Sequence, residues 1–188
     1  IENARGYCSA ASMDIARFGD DTLYRHSDRV YRMVAELWPD DHTAQVAALL
    51  HDLVEDTAVT LDMIKANFGE VVADTVDALT TREEETYDEY FRRLVRTKNI
   101  SAIRVKFSDA IDNSDICVGL LDAENLSVAS FIYYRIKYRI TSGLLCKILK
   151  SAEGGDDNLE QAHRAVVYKW VMDYDIKAIQ RLRDNKHI

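Results

Sequence analysis

Ionisable side chains follow an apolar stretch in the first third of the chain. His51, Asp52, Glu55 and Asp56 come directly after the apolar run at 47–50. Charge among apolar residues is costly unless a partner compensates it, and a divalent metal ion accepts both imidazole and carboxylate ligands. At helical spacing His51 lies one turn before Glu55, and Asp52 one turn before Asp56. The pattern therefore predicts a metal site on one face of a helix.

Two more polar residues fall on faces that are predicted to point inward. His26 lies on the apolar stripe of the segment 23–37, and Asp109 shares a face with apolar residues further along the chain. With His51 and Asp52 they form a mixed nitrogen and oxygen ligand set, which suits Mn²⁺, Fe²⁺, Co²⁺ or Zn²⁺. A metal held in this way acidifies a bound water and polarises a phosphoryl oxygen. We therefore expect hydrolysis of a phosphate ester or anhydride.

Residues beside the predicted ligands are candidates for the reaction itself. Glu55 and Asp56 are predicted to orient the water or to move a proton. Asn113, one turn beyond the predicted ligand on its own helix, is expected to contact substrate or to support a ligand. Arg25 and Lys106 stand close to predicted ligands in the sequence and are candidates for binding phosphate. For each of these two cations, an ordinary ion pair on a solvated face is the alternative.

Two segments carry a resemblance to a known family. Residues 47–57, AALLHDLVEDT, closely resemble the hydrolase domain of the RelA/SpoT family and its small stand-alone members, within the HD superfamily of metal-dependent phosphohydrolases. Residues 105–113, VKFSDAIDN, resemble that family's run of a basic residue, an Asp and an Asn four residues on. The resemblance covers about residues 23–121. It implies an all-helical fold, a Mn²⁺ ion, and removal of the 3′-pyrophosphate from guanosine tetra- or pentaphosphate. By residue, it implies metal ligation by His26, His51, Asp52 and Asp109, water activation by Glu55 and Asp56, and a nucleotide contact by Asn113.

The chain departs from the family pattern at three places. The family's first helix carries an Ala-Arg-Lys-His-like run, and the nearest match here is Ala-Arg-Phe at 16–18. Ser27 follows His26 where the family commonly has Pro, and Asp115 stands two positions after Asn113 where a basic residue is common. These differences leave open an HD phosphohydrolase that acts on other nucleotides or small phosphate esters. A degenerate domain that only binds metal or nucleotide as a sensor is the third interpretation.

Helices are predicted to position all these residues. One Pro and seven Gly in 188 residues leave few breaks, so we expect an all-α protein. The length suits one compact domain over 1–188, and the resemblance gives it the HD-domain fold. Apolar periodicity predicts helices at about 4–18, 23–37, 43–54, 61–67, 71–79, 87–96, 103–121, 123–150 and 158–183.

Composition limits the partners and the compartment. The net charge of -8 argues against nucleic acid and anionic membranes as partners, and no apolar run is long enough to cross a bilayer. Cys8, Cys117 and Cys146 are widely spaced among apolar residues, which indicates reduced thiols and a cytoplasmic protein. A nucleotide substrate is the partner that we expect, and the sequence leaves the oligomeric state open.

Overall fold

A computed structural model describes residues 1–17, 20–122 and 128–152. These residues form α-helices and short connections, and the pairing of Ala16 with Thr22 is an isolated β-bridge among them. The all-α prediction is confirmed. In chain order the helices are α1 (Glu2–Ser12), α2 (Leu23–Leu37), α3 (His42–Leu50), α4 (Leu53–Asp56), α5 (Leu61–Phe68), α6 (Glu70–Leu79), α7 (Tyr87–Thr97), α8 (Ile100–Asp122) and α9 (Val128–Ala152).

The chain divides into two compact units, Ile1–Asp112 and Asn113–Ile188. The first unit holds α1 to α7 and the start of α8, and it contains every predicted site residue except Asn113. In the second unit, the described part of α9 buries Leu145 and Leu149 one turn apart. The prediction of a single domain stays a prediction. Among the described residues, no helix combines the length and the apolar character that a membrane crossing requires.

The helix α2 turns one apolar face inward, and His26 lies on that face. Leu23, Val30 and Val34 on the same face are fully buried, at the spacing of successive helical turns. The side chain of Thr22 caps this helix by accepting a hydrogen bond from the backbone of Arg25. The helix packs on α3, which in turn packs on α6. His26 is therefore buried inside the first unit rather than exposed at its surface.

The N-terminal helix is shorter than predicted. α1 ends at Ser12, and the chain then folds back so that the backbone N–H of Leu23 donates to the carbonyl of Ile15 at 2.9 Å. Ile15 is β-branched and gains little from a helical conformation, whereas this turn gives its carbonyl a partner. The predicted helix end at residue 18 is therefore wrong.

The helix predicted over 43–54 is interrupted in the middle of the site. α3 ends at Leu50, His51 and Asp52 form a turn, and α4 is a single helical turn that begins at Leu53. Asp52 has φ -95° and ψ -5°, the sparsely occupied region where many active-site residues lie. The prediction of one continuous helix is wrong at this point.

The remaining helix predictions within the described residues are confirmed to within a few residues at each end. Thr60 caps α5 as expected by accepting a hydrogen bond from the backbone of Met63. Gly69 ends the same helix with a positive φ of 88°, a conformation that glycine adopts at little cost. The start of the helix predicted at 123–150 and the whole of the one at 158–183 lie outside the described residues.

Candidate metal centre

Three elements of the first unit bring two imidazoles and two carboxylates together. His26 comes from α2, His51 and Asp52 from the turn before α4, and Asp109 from α8. Nε2 of His26 lies 3.2 Å from Nε2 of His51 and 3.4 Å from Oδ2 of Asp52. Oδ1 of Asp109 lies 3.2 Å from Nε2 of His26 and 3.8 Å from Nε2 of His51. We call these four residues the HD cluster; the structure brings all four predicted metal ligands together.

The turn between α3 and α4 allows two neighbouring residues to reach the same point. In a regular helix, adjacent side chains diverge around the axis. Here Nε2 of His51 lies 3.0 Å from Oδ1 of Asp52. The interruption that the sequence did not predict is therefore part of what assembles the cluster.

Hydrogen bonds at the outer nitrogens orient both imidazoles. Nδ1 of His51 donates to the carbonyl of Ala48 at 2.9 Å, and a carbonyl can only accept. Nδ1 of His26 donates to Oδ2 of Asp112 at 2.7 Å. In the neutral form of each ring, the proton is therefore on Nδ1 and the Nε2 lone pair faces the HD cluster. This is the tautomer that a metal ion requires.

The electrostatics of the cluster also suit a cation. Burial opposes a charge on His26, but its hydrogen bonds with Asp109, Asp112 and Asp52 raise its pKa to about 10. Burial likewise opposes the charge of Asp52, but His51 and His26 lower the pKa of this carboxyl below its usual range. A proton held on a buried imidazole means that the carboxylates need positive charge. A divalent cation supplies that charge, so the donor set fits a metal ion.

Lys106 completes the charge balance around Asp109. Its Nζ lies 2.7 Å from Oδ2 of Asp109, and 5.3 Å from the centre of the Tyr90 ring. Burial opposes the ammonium charge, but Asp109 and Tyr90 raise the Lys106 pKa well above its usual value. The ammonium group binds Oδ2 of Asp109, and Oδ1 of the same carboxylate faces the two histidines of the HD cluster. The predicted phosphate contact of Lys106 stays a prediction.

Glu55 and Asp56 have different surroundings although they are adjacent on α4. Oε1 of Glu55 accepts hydrogen bonds from the backbone N–H of Thr81 and from its hydroxyl, the latter at 2.9 Å. Partial burial and the negative charges of Asp52 and Glu55 raise the pKa of Asp56. Glu55 therefore ties α4 to the connection between α6 and α7, whereas the raised pKa of Asp56 makes that carboxylate the one to be considered as a proton acceptor. The predicted catalytic role of each stays a prediction.

The structure distinguishes the cations that the sequence offered for phosphate binding. Arg25 is exposed, and its Nη1 donates to the carbonyl of Asp20 at 3.0 Å. Besides Lys106, Arg17 comes close to the HD cluster, with Nη2 at 3.9 Å from Oδ2 of Asp52 and a side chain only 16% exposed. Asn113 is buried on α8. Substrate contacts by Arg25 and Asn113 stay predictions.

Sequence reasoning missed Asp112 and its pairing with Arg29, which the sequence offered only as one of several cations for phosphate binding or an ordinary ion pair. Asp112 lies three residues after Asp109 on α8, and Arg29 lies three residues after His26 on α2. Residues three apart share a helix face, so both were within reach of the predicted ligands. Spacing was thus the available signal, although it does not say which polar neighbour supports a ligand.

Comparison with known proteins places the chain in a family. A family model described as the HD domain matches residues 4–113. The chain belongs to the HD domain family. Among solved structures, this HD domain protein resembles one described as a metazoan ortholog of SpoT that hydrolyses ppGpp. The TM-score is 0.67 at 21% identity, over 89% of this chain and 93% of the other. A Listeria monocytogenes structure gives a TM-score of 0.59 at 24% identity, over 80% and 98% of the two chains.

Curated relatives of the HD domain protein are similar over a shorter stretch. A guanosine-3′,5′-bis(diphosphate) 3′-pyrophosphohydrolase of Haemophilus influenzae is 34% identical over 106 residues, which cover 52% of this chain and 16% of that enzyme. An Aquifex aeolicus protein of the same name is 38% identical over 94 residues, covering 47% and 13%. The chain thus spans only a small part of the length of these relatives. The structural likenesses show that the fold is shared.

Proposed function

We propose that this HD domain protein is a metal-dependent phosphohydrolase that removes the 3′-pyrophosphate from guanosine 3′,5′-bis(diphosphate). The observation that carries the proposal is the convergence of two imidazole Nε2 atoms and two carboxylates beside the guanidinium of Arg17. The names of the Haemophilus influenzae and Aquifex aeolicus relatives support the substrate. Buried Cys8, whose burial raises the pKa of its thiol, is suited to a reducing compartment, and we propose a cytoplasmic location.

His26, His51, Asp52 and Asp109 would hold the metal, for which we propose Mn²⁺. Imidazole and carboxylate ligands suit Mn²⁺ better than thiolates do. When bound, such a cation acidifies a water molecule and polarises a phosphoryl oxygen. The chain fixes the Nδ1 hydrogen bonds of both imidazoles and the ionised state of both carboxylates. Metal binding would release the Nε2 proton that the raised pKa of His26 retains.

The remaining side chains are assigned to the nucleotide and the water. Arg17 would bind a phosphoryl oxygen, since its guanidinium faces the cluster and is only slightly exposed. Asp56 would accept the proton of the attacking water. The water oxygen forms a bond to the phosphorus attached to O3′, the P–O3′ bond breaks, and O3′ takes up a proton. The products are guanosine 5′-diphosphate and pyrophosphate.

A second candidate, hydrolysis of other nucleotides or small phosphate esters, is favoured by the placement of two cations. Lys106 is bonded to Asp109, and Arg25 is bonded to the carbonyl of Asp20. Both were candidates for binding phosphate, and a substrate with two diphosphates offers more charge for such cations to bind. A substrate with fewer charges would need only the cluster and Arg17.

A nucleotide panel with added Mn²⁺ separates the two functions. The purified protein is incubated with guanosine tetraphosphate, GTP, GDP and a simple phosphate monoester, and released pyrophosphate and phosphate are measured separately. The first proposal expects pyrophosphate and GDP in equal amounts from the tetraphosphate. Cleavage of the monoester or GTP with the tetraphosphate untouched would overturn it in favour of the second.

Two histidine variants show whether any cleavage belongs to this site. His51→Ala removes a residue of the HD cluster and should abolish turnover. His42→Ala removes an exposed histidine at the start of α3 and should leave turnover unchanged. Equal activity of the two variants would mean that the cleavage comes from elsewhere.

A further inference from the structure

Asp112 is a buried carboxylate in contact with the HD cluster that no predicted role accounts for. It is 6% exposed, and its Oδ2 accepts the hydrogen bond from Nδ1 of His26. The guanidinium of Arg29 donates to both of its oxygens, from Nε to Oδ1 at 2.7 Å and from Nη2 to Oδ2 at 3.0 Å. With both oxygens held by donors, Asp112 acts only as an acceptor toward the imidazole.

Arg29 extends this contact to the connection between α1 and α2. Its Nη1 and Nη2 donate to the two oxygens of Asp21 at 2.9 and 2.7 Å. The backbone carbonyl of Asp21 accepts from the N–H of Arg17 at 3.0 Å. A single guanidinium therefore joins Asp112, which orients His26, to the turn that presents Arg17 to the cluster.

Groups of different kinds fix the Nδ1-protonated tautomer in the two imidazoles of the cluster. His51 uses the carbonyl of Ala48, a backbone group that side-chain substitution cannot remove. His26 depends on the side chain of Asp112. An amide at that position presents either an oxygen or an NH₂ group, and the NH₂ group would favour the wrong tautomer. His26 is thus the ligand whose orientation depends on other side chains.

We propose that Asp112, Arg29 and Asp21 form a positioning relay in which Asp112 and Arg29 orient His26 toward the metal and Asp21 holds the Arg17 turn. The relay rests on the proposed metal-dependent function. Asp112 and Arg29 are positioning residues, since they act through His26. Asp21 holds the turn that carries Arg17, so it acts on substrate binding. The relay predicts separate effects on metal affinity and on KM.

Metal binding without substrate tests the first half of the relay. The probe is Mn²⁺ alone, titrated into metal-free protein by calorimetry. Asp112→Asn should weaken Mn²⁺ binding by about 10- to 100-fold, and Arg29→Gln by about 10-fold, as found when groups that support metal ligands are removed. Asp21→Asn should leave Mn²⁺ affinity nearly unchanged and raise KM for the cleaved nucleotide.

Matched controls lie one turn away on α2. Arg32 pairs with Asp28 at 2.8 Å, and neither contacts a residue of the HD cluster in the contacts described. Asp28→Asn removes a buried carboxylate like Asp112, and Arg32→Gln removes an arginine of the same helix that is more exposed than Arg29. Both variants should bind Mn²⁺ within about 2-fold of wild type, less than the change expected of a supporting group. If these controls weaken binding as much as the relay variants do, the relay is wrong and the losses are structural.

The remaining outcomes are distinct. Wild-type affinity in Asp112→Asn overturns the relay even if guanosine tetraphosphate is cleaved. Weakened Mn²⁺ binding in Asp112→Asn with intact controls supports the relay even if that nucleotide is not the substrate, so the two proposals fail separately. Should Asp112→Asn lose its helical circular dichroism, Arg29→Gln decides, since Arg29 is less buried. Wild-type protein that binds no Mn²⁺ overturns both.

Discussion

Adjacent carboxylates on α4 show how neighbours of one chemical type acquire different properties. Glu55 accepts two hydrogen bonds from Thr81, which fix its position. Asp56 has a raised pKa because partial burial and two nearby negative charges disfavour ionisation. A carboxylate with a raised pKa is the better proton acceptor. The two residues that were predicted to share one role are therefore expected to separate.

The first prediction compares Asp56→Asn with Glu55→Gln. Loss of a general base typically costs about 10²- to 10⁴-fold in rate, so Asp56→Asn should lower kcat by that amount. Glu55→Gln retains an oxygen that can accept from Thr81, and it should lower kcat by about 10-fold or less, below the range for a lost base. Steady-state kinetics with Mn²⁺ and the nucleotide that the panel identifies measure both. Equal losses of kcat would contradict different roles for the two residues.

Residue types and their order were enough to predict the four residues of the HD cluster, but not the residues that hydrogen-bond to them. His26, His51, Asp52 and Asp109 could be chosen because polar groups on apolar faces need compensation. The partner of Lys106 could not be predicted, because a lysine that is one turn from Asp109 can equally extend to solvent or substrate. Asp112 was missed for the same reason: spacing brings it near, but only the packing of α2 against α8 makes it the partner of His26.

The ends of the helices determine where the site residues lie, and only some of these ends could be predicted from the sequence. Both ends of α5 could be predicted, because Thr60 at its start and Gly69 at its end have strong local preferences for these capping positions. The turn at His51 and Asp52 was not predicted because nothing in the run from Ala47 to Leu53 disfavours a helix. Local propensity therefore sets helix ends where capping residues occur, and tertiary contacts set them elsewhere.

Asp41 holds the start of α3 through three hydrogen-bonding partners. Its Oδ1 accepts from the backbone of Ala44 at 2.9 Å, and its Oδ2 accepts from Ser101 at 2.8 Å and from Arg104 at 2.6 Å. Burial opposes its charge, but these three partners lower the pKa of Asp41 below its ordinary value of 3.8. One carboxylate thus caps α3 and joins it to α8, the two helices next to the HD cluster.

The second prediction is a pH-dependent stability difference for Asp41→Asn. Because the folded pKa lies below the unfolded one, the folded state binds the proton less tightly, and ionised Asp41 stabilises the protein above the unfolded pKa. At pH 7 the variant should lose about 1–2 kcal/mol of unfolding free energy, because Asn can still cap α3 but lacks the charge that accepts from Arg104. The loss should shrink as the pH falls below 3.8 toward the folded pKa.

Urea denaturation at a series of pH values, followed by circular dichroism, measures this difference. The matched control is Asp40→Asn, which changes the adjacent exposed aspartate and should alter the unfolding free energy by no more than about 0.5 kcal/mol. A stability loss in Asp41→Asn that stays constant across the pH range would show that the charge of Asp41 is not involved.

The chain as a whole is acidic, and its proposed substrate is a polyanion. The net charge of -8 repels a nucleotide at long range. Screening shortens that repulsion to about 8 Å at physiological ionic strength, so local groups decide binding. Arg17 and a bound divalent cation would supply positive charge at the HD cluster, beside the carboxylates of Asp52 and Asp109. Substrate binding should therefore require the metal to be in place.

The last prediction is that the metal stabilises the folded protein through the HD cluster. A ligand that binds only the folded state at 100 times its Kd adds about 2.7 kcal/mol to the unfolding free energy. For a chain of this size that corresponds to a rise of roughly 5–10 °C in Tm. Thermal unfolding of chelator-treated protein, with and without Mn²⁺, measures the shift. Asp52→Asn should lose it because the cluster is incomplete, and His42→Ala, an exposed histidine, should keep it. An unchanged Tm in wild-type protein at saturating Mn²⁺, or the same shift in Asp52→Asn, would mean that the cluster is not the metal site.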